Sequence, residues 1–274
     1  MLGRGVVPAD TPILRADDLG VLRGDGVFET MHVRDGRPWL ADEHLSRMAA
    51  SAARMDLALP PRQALVELIE SACAAWPAHR EGALRLVCTR GAEDGGPVTA
   101  FATLAPVGDA VLAGRRTGVA VTTATLGVAV AARPGAPWLL GGVKSLSYAV
   151  NMASLRWAAR QGVDDVLWVS ADGYALEAPT ASLVWLEGET LWTVPPGETG
   201  ILAGITARWL LDHADQRGYK SGERLVRPAE LTTADGVWLT SSVRGLAEVR
   251  VLDGAPLPPS RHTAPLLELL GFPV

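Results

Sequence analysis

Gly24-Asp25-Gly26-Val27-Phe28-Glu29-Thr30-Met31-His32-Val33, running on through Arg34-Asp35-Gly36-Arg37-Pro38-Trp39-Leu40, decides the fold class. Val27 to Val33 reads as a strand, entered through the two glycines. Asp35-Gly36 is a two-residue hairpin signal, because both positions tolerate the positive φ of a tight turn, and Pro38-Trp39-Leu40 leads the chain back. The spacing then changes to helical over residues 42–56, with Leu45, Met48, Ala49 and Ala52 on one face. A second helix follows Pro60-Pro61 and turns Leu65, Leu68 and Ile69 inward. Residues 83–90 and 98–104 read as an antiparallel pair joined by a loop over 91–97. Hairpins mixed with isolated helices exclude a doubly wound parallel sheet and predict an α/β chain of the α+β type.

At 274 residues the chain suits two modest domains. Pro106-Val107-Gly108-Asp109 reads as the junction. We expect a small N-terminal α+β domain over 1–107, a linker over 108–113 and a larger C-terminal domain over 114–274. In the latter, strands are expected at 118–123, 127–131, 165–169, 174–176, 183–186, 191–194 and 237–241. A helix over 145–161 rests on Leu146, Ala149, Val150, Met152, Ala153 and Leu155 and stops at Gly162; another over 205–217 stops at Gly218.

The net charge of −5 leaves no electrostatic footprint for nucleic acid. No apolar run approaches a membrane span, and Met1-Leu2-Gly3-Arg4 lacks a signal-peptide core. Cys73 and Cys88 have neither metal-ligand nor disulfide spacing and read as buried thiols. His79, His213 and His262 have no partners at ligand spacing, so no metal is expected, and His32 reads as a core or edge residue. The setting these features imply is cytoplasmic, with a small molecule as the partner.

Of 25 basic residues only Lys144 and Lys220 are lysines; the other 23 are arginines. Lys144 follows the apolar, glycine-rich run Trp138-Leu139-Leu140-Gly141-Gly142-Val143. An arginine serves solubility and ion pairing but is never deprotonated to a nucleophilic amine, so a lone lysine in apolar surroundings is a candidate for amine chemistry. By composition alone, a surface lysine left over from arginine-rich coding is an equal reading.

The neighbouring motifs separate the two. Gly24-Asp25-Gly26-Val27-Phe28-Glu29-Thr30, His44-Leu45-Ser46-Arg47-Met48, Gly142-Val143-Lys144-Ser145-Leu146-Ser147-Tyr148, Tyr174-Ala175-Leu176-Glu177-Ala178-Pro179-Thr180, Gly200-Ile201-Leu202-Ala203-Gly204-Ile205-Thr206 and Thr240-Ser241-Ser242 occur in this order. In that order they resemble the class IV, or fold type IV, pyridoxal-phosphate enzymes. These comprise branched-chain aminotransferases, D-amino-acid aminotransferases and 4-amino-4-deoxychorismate lyases. The resemblance runs from about Asp17 to Leu252 and implies two domains with the cofactor in the cleft between them.

The resemblance also implies roles. Lys144 matches the Schiff-base lysine, whose freed amine carries the proton at the substrate α-carbon. Glu177 matches the glutamate paired with the pyridine nitrogen; alone it reads as a solvated turn residue. Gly204, Ile205 and Thr206 match a phosphate loop at a helix start, where free N–H groups favour an anion; ordinary capping by Thr206 uses the same geometry. Ser241 and Ser242 match a second phosphate contact, and Arg47 a phosphate-directed arginine. Tyr148, expected one helical turn after Lys144, matches a tyrosine near the cofactor and also suits a core position. Thr30 is a candidate hydroxyl near a leaving group.

Two departures stand out. Pro179 replaces a small residue and Ser182 an asparagine. The loop 91–97 has neither the Arg-x-His of D-amino-acid enzymes nor the arginines of many lyases, and Arg90 and Arg244 are the nearby candidates for gripping a substrate carboxylate. The activity implied first is 4-amino-4-deoxychorismate lyase, giving 4-aminobenzoate and pyruvate for folate synthesis. The alternative is an aminotransferase of branched-chain, D- or other amino acids, and a catalytically idle pyridoxal-phosphate binder is a third reading. A homodimer is implied by the same resemblance.

Overall fold

The computed structural model describes residues 1–272 and divides into two compact units, 1–107 with 143–148 and 108–142 with 149 onward. Residues 108–113, expected as a linker, instead lead into a helix of the second unit. Val143–Tyr148, expected in the C-terminal domain, are grouped with the first.

The first unit contains α1 (Leu19–Arg23), β1 (Gly26–Arg34), β2 (Arg37–Pro38), α2 (Ala41–Ala53), α3 (Arg62–Ala74), β3 (Gly82–Thr89) and β4 (Thr99–Pro106). The strands form an antiparallel sheet in the order β2-β1-β3-β4. Asp35 and Gly36 both take positive φ, 51° and 70°, as the hairpin signal requires. Val27, Met31 and Val33 of β1 and Leu84, Leu86 and Cys88 of β3 bury against Leu45 and Met48 of α2 and Leu65 and Ile69 of α3. Each such large side chain contributes roughly 1.5–3 kcal/mol when fully buried. Ala49, expected on the inner face of α2, is exposed, and His44 and Ser51 are buried instead. The alternation of side chains leaves Phe28, Thr30 and His32 on the sheet face opposite this core.

The segment after Lys144 was expected to be helical from Ser145. It pairs with β1 instead: Phe28 N–H donates to the Lys144 carbonyl at 3.1 Å, Leu146 N–H donates to the Gly26 carbonyl at 2.8 Å, and Ser145 bridges Val27. Backbone demand from the edge of β1 therefore holds 143–148 out of the helix.

The second unit contains α4 (Asp109–Thr117), β5 (Val119–Thr125), α5 (Ala149–Arg160), β6 (Asp165–Val169), β7 (Glu177–Ala178), β8 (Ala181–Glu187), β9 (Thr190–Thr193), α6 (Pro196–Thr199), α7 (Ile205–Asp212), β10 (Lys220–Glu223), α8 (Pro228–Leu231), β11 (Gly236–Ser241), β12 (Gly245–Leu252), β13 (Ala255–Pro256) and α9 (Thr263–Leu269). Its sheet runs β10-β9-β8-β11-β12-β5-β6, parallel at β10/β9 and β12/β5/β6 and antiparallel elsewhere. Leu183, Trp185, Val237, Leu239, Ala247 and Val249 form its centre. Residues 127–131 are turns, not the expected strand, and 174–176 give only a bridge, Val169 to Ala175. The helix expected over 205–217 ends at Asp212 and continues as a 3-10 turn, Ala214–Arg217. On α5 only Ala158 is buried, and Val150 of the expected inner stripe is exposed.

Candidate active site

In the first unit the half-buried Lys144 places its Nζ 4.4 Å from the Phe28 ring centroid and 5.6 Å from that of Tyr148. The two rings meet edge to face at 5.1 Å. Tyr148 therefore shares the lysine's surroundings, as expected, but through an extended segment rather than a helical turn. The Lys144 N–H donates to Ser51 Oγ of α2 at 3.2 Å, which fixes the base of the side chain. Thr30 lies two residues beyond Phe28 on the same face of β1.

Behind that face is a buried network absent from the sequence-based expectations. Glu29, fully buried, accepts from Arg47 Nε at 2.8 Å and Nη2 at 2.6 Å, and its Oε2 pairs with His44 Nδ1 at 2.7 Å. Burial pushes the Glu29 carboxyl up, but the Arg47 charge and the hydrogen bonds from Arg47 and His44 outweigh it and hold the pKa at about 2. Burial pushes His44 down, against the pull of Glu29, so its imidazole is neutral near pH 7 and donates from Nδ1. Two signals in the sequence point to this group. Glu29 occupies the inward phase of Val27, Met31 and Val33, and His44 stands three residues before Arg47 on one face of α2.

In the second unit Glu177 opens β7. Its Oε2 accepts from the Leu202 N–H at 3.2 Å, and its Oε1 lies 3.5 Å from Arg133 Nη1. Arg133, in the loop before Gly141, carried no signal in the sequence. Gly204 precedes α7 with no side-chain cap at that helix start. A Cβ at Gly204 would lie 2.1 Å from Ser182 Oγ, so the backbone passes too close for any other residue without displacing that serine. Ile205 and Thr206 are buried at the helix start, and Thr206 Oγ1 donates to Ser242 Oγ at 3.5 Å. Ser241 ends β11, half-buried, its Oγ accepting from the Arg244 N–H at 3.4 Å. Arg115 of α4 donates to the carbonyls of Val243 and Arg244 and so pins the turn that carries Ser242.

Of the two arginines expected near a substrate carboxylate, Arg90 is engaged through all three guanidinium nitrogens, whereas Arg244 keeps a buried Nη1 with no hydrogen-bond partner among the described residues. Arg90 donates to Asp25 and to the Met55 and Asp56 carbonyls, and Arg244 donates to the fully buried Asp165 at 2.7 Å.

The first half thus presents an amine in an aromatic setting, and the second an acid beside a backbone anion site of a glycine, a helix start and two hydroxyls. An enzyme that handles a phosphorylated carbonyl cofactor needs both sets. The sequence pattern of the family described as Amino-transferase class IV matches residues 26–252, and the chain belongs to that family of pyridoxal-phosphate enzymes. It is 44% identical over 255 residues to a Mycobacterium tuberculosis protein named as a bifunctional aminodeoxychorismate lyase / D-amino acid transaminase, covering 90% of this chain and 88% of that protein. Among solved structures, a hypothetical aminotransferase from Mycobacterium tuberculosis in its PLP-bound form superimposes with a TM-score of 0.93 at 42% identity, covering 97% of this chain and 94% of the other. The form described as alpha-ketoglutarate and PMP bound gives 0.94 at 42% identity with the same coverage.

Proposed function

We propose that this enzyme is a pyridoxal-phosphate-dependent 4-amino-4-deoxychorismate lyase, releasing 4-aminobenzoate and pyruvate. The observation that carries this reading is the 44% identity, across nearly the whole chain, to a relative named for that lyase activity. The fit of the residues supports the cofactor: the cradle at Gly204, which a Cβ would fill, adjoins a helix start with no side-chain cap and two buried hydroxyls.

Bound there, pyridoxal phosphate supplies an aldehyde for the substrate amine and a ring that accepts electron density from the α-carbon. In this reading Lys144 would hold the cofactor's carbonyl carbon until the substrate amine displaces it, and the freed amine would take the proton from the substrate α-carbon. Phe28 and Tyr148 keep water from that amine. Glu177 would accept the pyridine N–H, its carboxylate held by the Leu202 N–H and by Arg133. The N–H groups of Ile205 and Thr206, the Thr206 and Ser242 hydroxyls and Gly204 would hold the phosphate. Arg47, oriented by Glu29, would add a positive charge to it, and Ser241 would shape the turn. Thr30, on the face of Phe28, is the hydroxyl this reading assigns to the leaving group.

The test is to add 4-amino-4-deoxychorismate to cofactor-loaded protein, follow the visible spectrum and separate the products. Accumulation of 4-aminobenzoate and pyruvate over many turnovers supports the lyase. Stoichiometric conversion of the cofactor to its amine form, or silence until an amino acid is supplied, replaces it with transamination. That second reading is favoured by the other half of the relative's name, D-amino acid transaminase.

The proposal includes a homodimer, which the exposed Trp138, Leu139 and Val150 of the second unit support. It also includes a reducing compartment, supported by two buried cysteines that form no disulfide. Among the described residues no helix is long and apolar enough to cross a membrane.

A further inference from the structure

The substrates of both readings carry a carboxylate; of the two arginines expected to bind it, Arg90 is committed elsewhere and Arg244 is tied through Nη2 to Asp165 in the second unit. The strand register supplies another. Thr30 of β1 is directly opposite Arg85 of β3, which is directly opposite Thr103 of β4. Directly paired residues project from the same side of a sheet, so Arg85 shares the face of Thr30 and Phe28. That is the face where Lys144 Nζ lies 4.4 Å from the Phe28 ring.

On this face the neighbouring strand positions are Ala83, Val87, Phe101, Thr103 and Ala105, none of them acidic, and His32, whose Nε2 lies 2.8 Å from Glu81 Oε2. The core side takes Leu84 and Leu86 instead. Phe28 and Arg85 are diagonal neighbours across β1 and β3, a separation that long side chains span. Arg85 is exposed, and among the described residues its guanidinium makes no hydrogen bond or ion pair. It is an arginine set in an apolar and hydroxyl-bearing surface beside the one lysine suited to amine chemistry. Arg90, just after β3, is engaged by Asp25 and two carbonyls, and Arg34, at the far end of β1, lies over the Trp39 ring at 4.7 Å.

We propose that Arg85 binds the carboxylate of the substrate whose amine reacts near Lys144, taking both oxygens with its planar fork. It is a specificity residue: it selects amines that carry a carboxylate over those that do not. This inference rests on the reading of Lys144 as the cofactor-bearing amine, and the two can fail separately.

The experiment titrates the cofactor-loaded protein by calorimetry with two pairs of probes, 4-aminobenzoate against aniline and D-alanine against ethylamine. Wild type is expected to bind the carboxylate-bearing member of at least one pair more tightly. Arg85→Gln is expected to weaken that member about tenfold or more and leave its carboxyl-free partner unchanged, with KM rising more than kcat falls. Arg85→Lys, which keeps the charge and loses the fork, is expected to recover part of the loss. Equal binding of both members by wild type overturns the proposal, as does an Arg85→Gln protein that keeps the wild-type preference or loses both members together. A Lys144→Ala protein that still shows the wild-type visible spectrum overturns the reading of Lys144 and is scored apart, because the probe preference of Arg85→Gln is measured in protein that retains Lys144.

Discussion

Arg47 and Glu29 meet through two hydrogen bonds, 2.8 Å from Nε to Oε1 and 2.6 Å from Nη2 to Oε2, with the carboxylate completely buried. The pair ties the first helix after the hairpin to the strand that carries Phe28 and Thr30, and it sets the direction of the Arg47 side chain. Removing one partner leaves a buried charge with nothing to balance it, which costs about 3–5 kcal/mol. Glu29→Ala is expected to lose that much in denaturant unfolding at pH 7 and to weaken cofactor binding as Arg47 loses its orientation.

Stability should fall with acid through the same network. Glu29 has a folded pKa of about 2 against an ordinary 4.5, so the unfolded chain takes up its proton first, and the contribution is complete above pH 4.5 and lost as pH falls toward 2. At about 1.4 kcal/mol per unit this reaches roughly 3 kcal/mol. His44, depressed below 6.5, acts in the same direction from a higher pH, because the unfolded imidazole also protonates first. Unfolding free energies measured from pH 7 to pH 3 should decline steadily, and less steeply in Glu29→Gln.

Lys144→Ala should fold with near wild-type stability, since its side chain is only half-buried. Its turnover should fall by at least about 10³-fold, the scale set by losing a nucleophile and a positioned base together. Steady-state assays beside a thermal melt check both parts.

Gly204→Ala should weaken cofactor affinity by about tenfold or more, because the new Cβ meets Ser182 Oγ at 2.1 Å. The Gly204→Ala/Ser182→Ala double variant removes that oxygen and leaves a 3.2 Å contact with the Ser182 Cβ, so partial recovery is expected. Equilibrium dialysis of the cofactor measures both proteins. Equal loss in the single and double variants would discard the steric explanation.

Cys88 should resist thiol reagents in the native protein. Burial pushes its thiol up to about 12 and that of Cys73 upward, so little thiolate exists at pH 8. Mixing with a chromogenic disulfide reagent should give no rapid reaction until denaturant is added, and then two thiols.

Much of the fold could be read from alternation and turn chemistry. The Asp35-Gly36 hairpin, the strand before it and the inner faces of α2 and α3 at Leu45, Met48, Leu65 and Ile69 follow from local rules. Residues 145–148 depart from the expected helix because the apolar spacing that begins at Leu146 is real, but the edge of β1 offers those backbone groups partners that a helix does not. Arg85 carries no local signal for a related reason: its partner across the sheet, Thr30, is 55 positions away, and only the register between β1 and β3 places both on the face of Lys144.

The sequence by itself determined which chemistry is possible here, since one lysine in an apolar run, one glutamate and a glycine-framed helix start are properties of residue type and order. Only the tertiary structure decided which charges are free to act. Arg90, Arg244 and Arg85 look alike along the chain, yet the half-buried Asp25 and two carbonyls claim the first and the fully buried Asp165 takes Nη2 of the second. An arginine's role depends on the partners that folding brings to it from distant positions, and no local pattern records those.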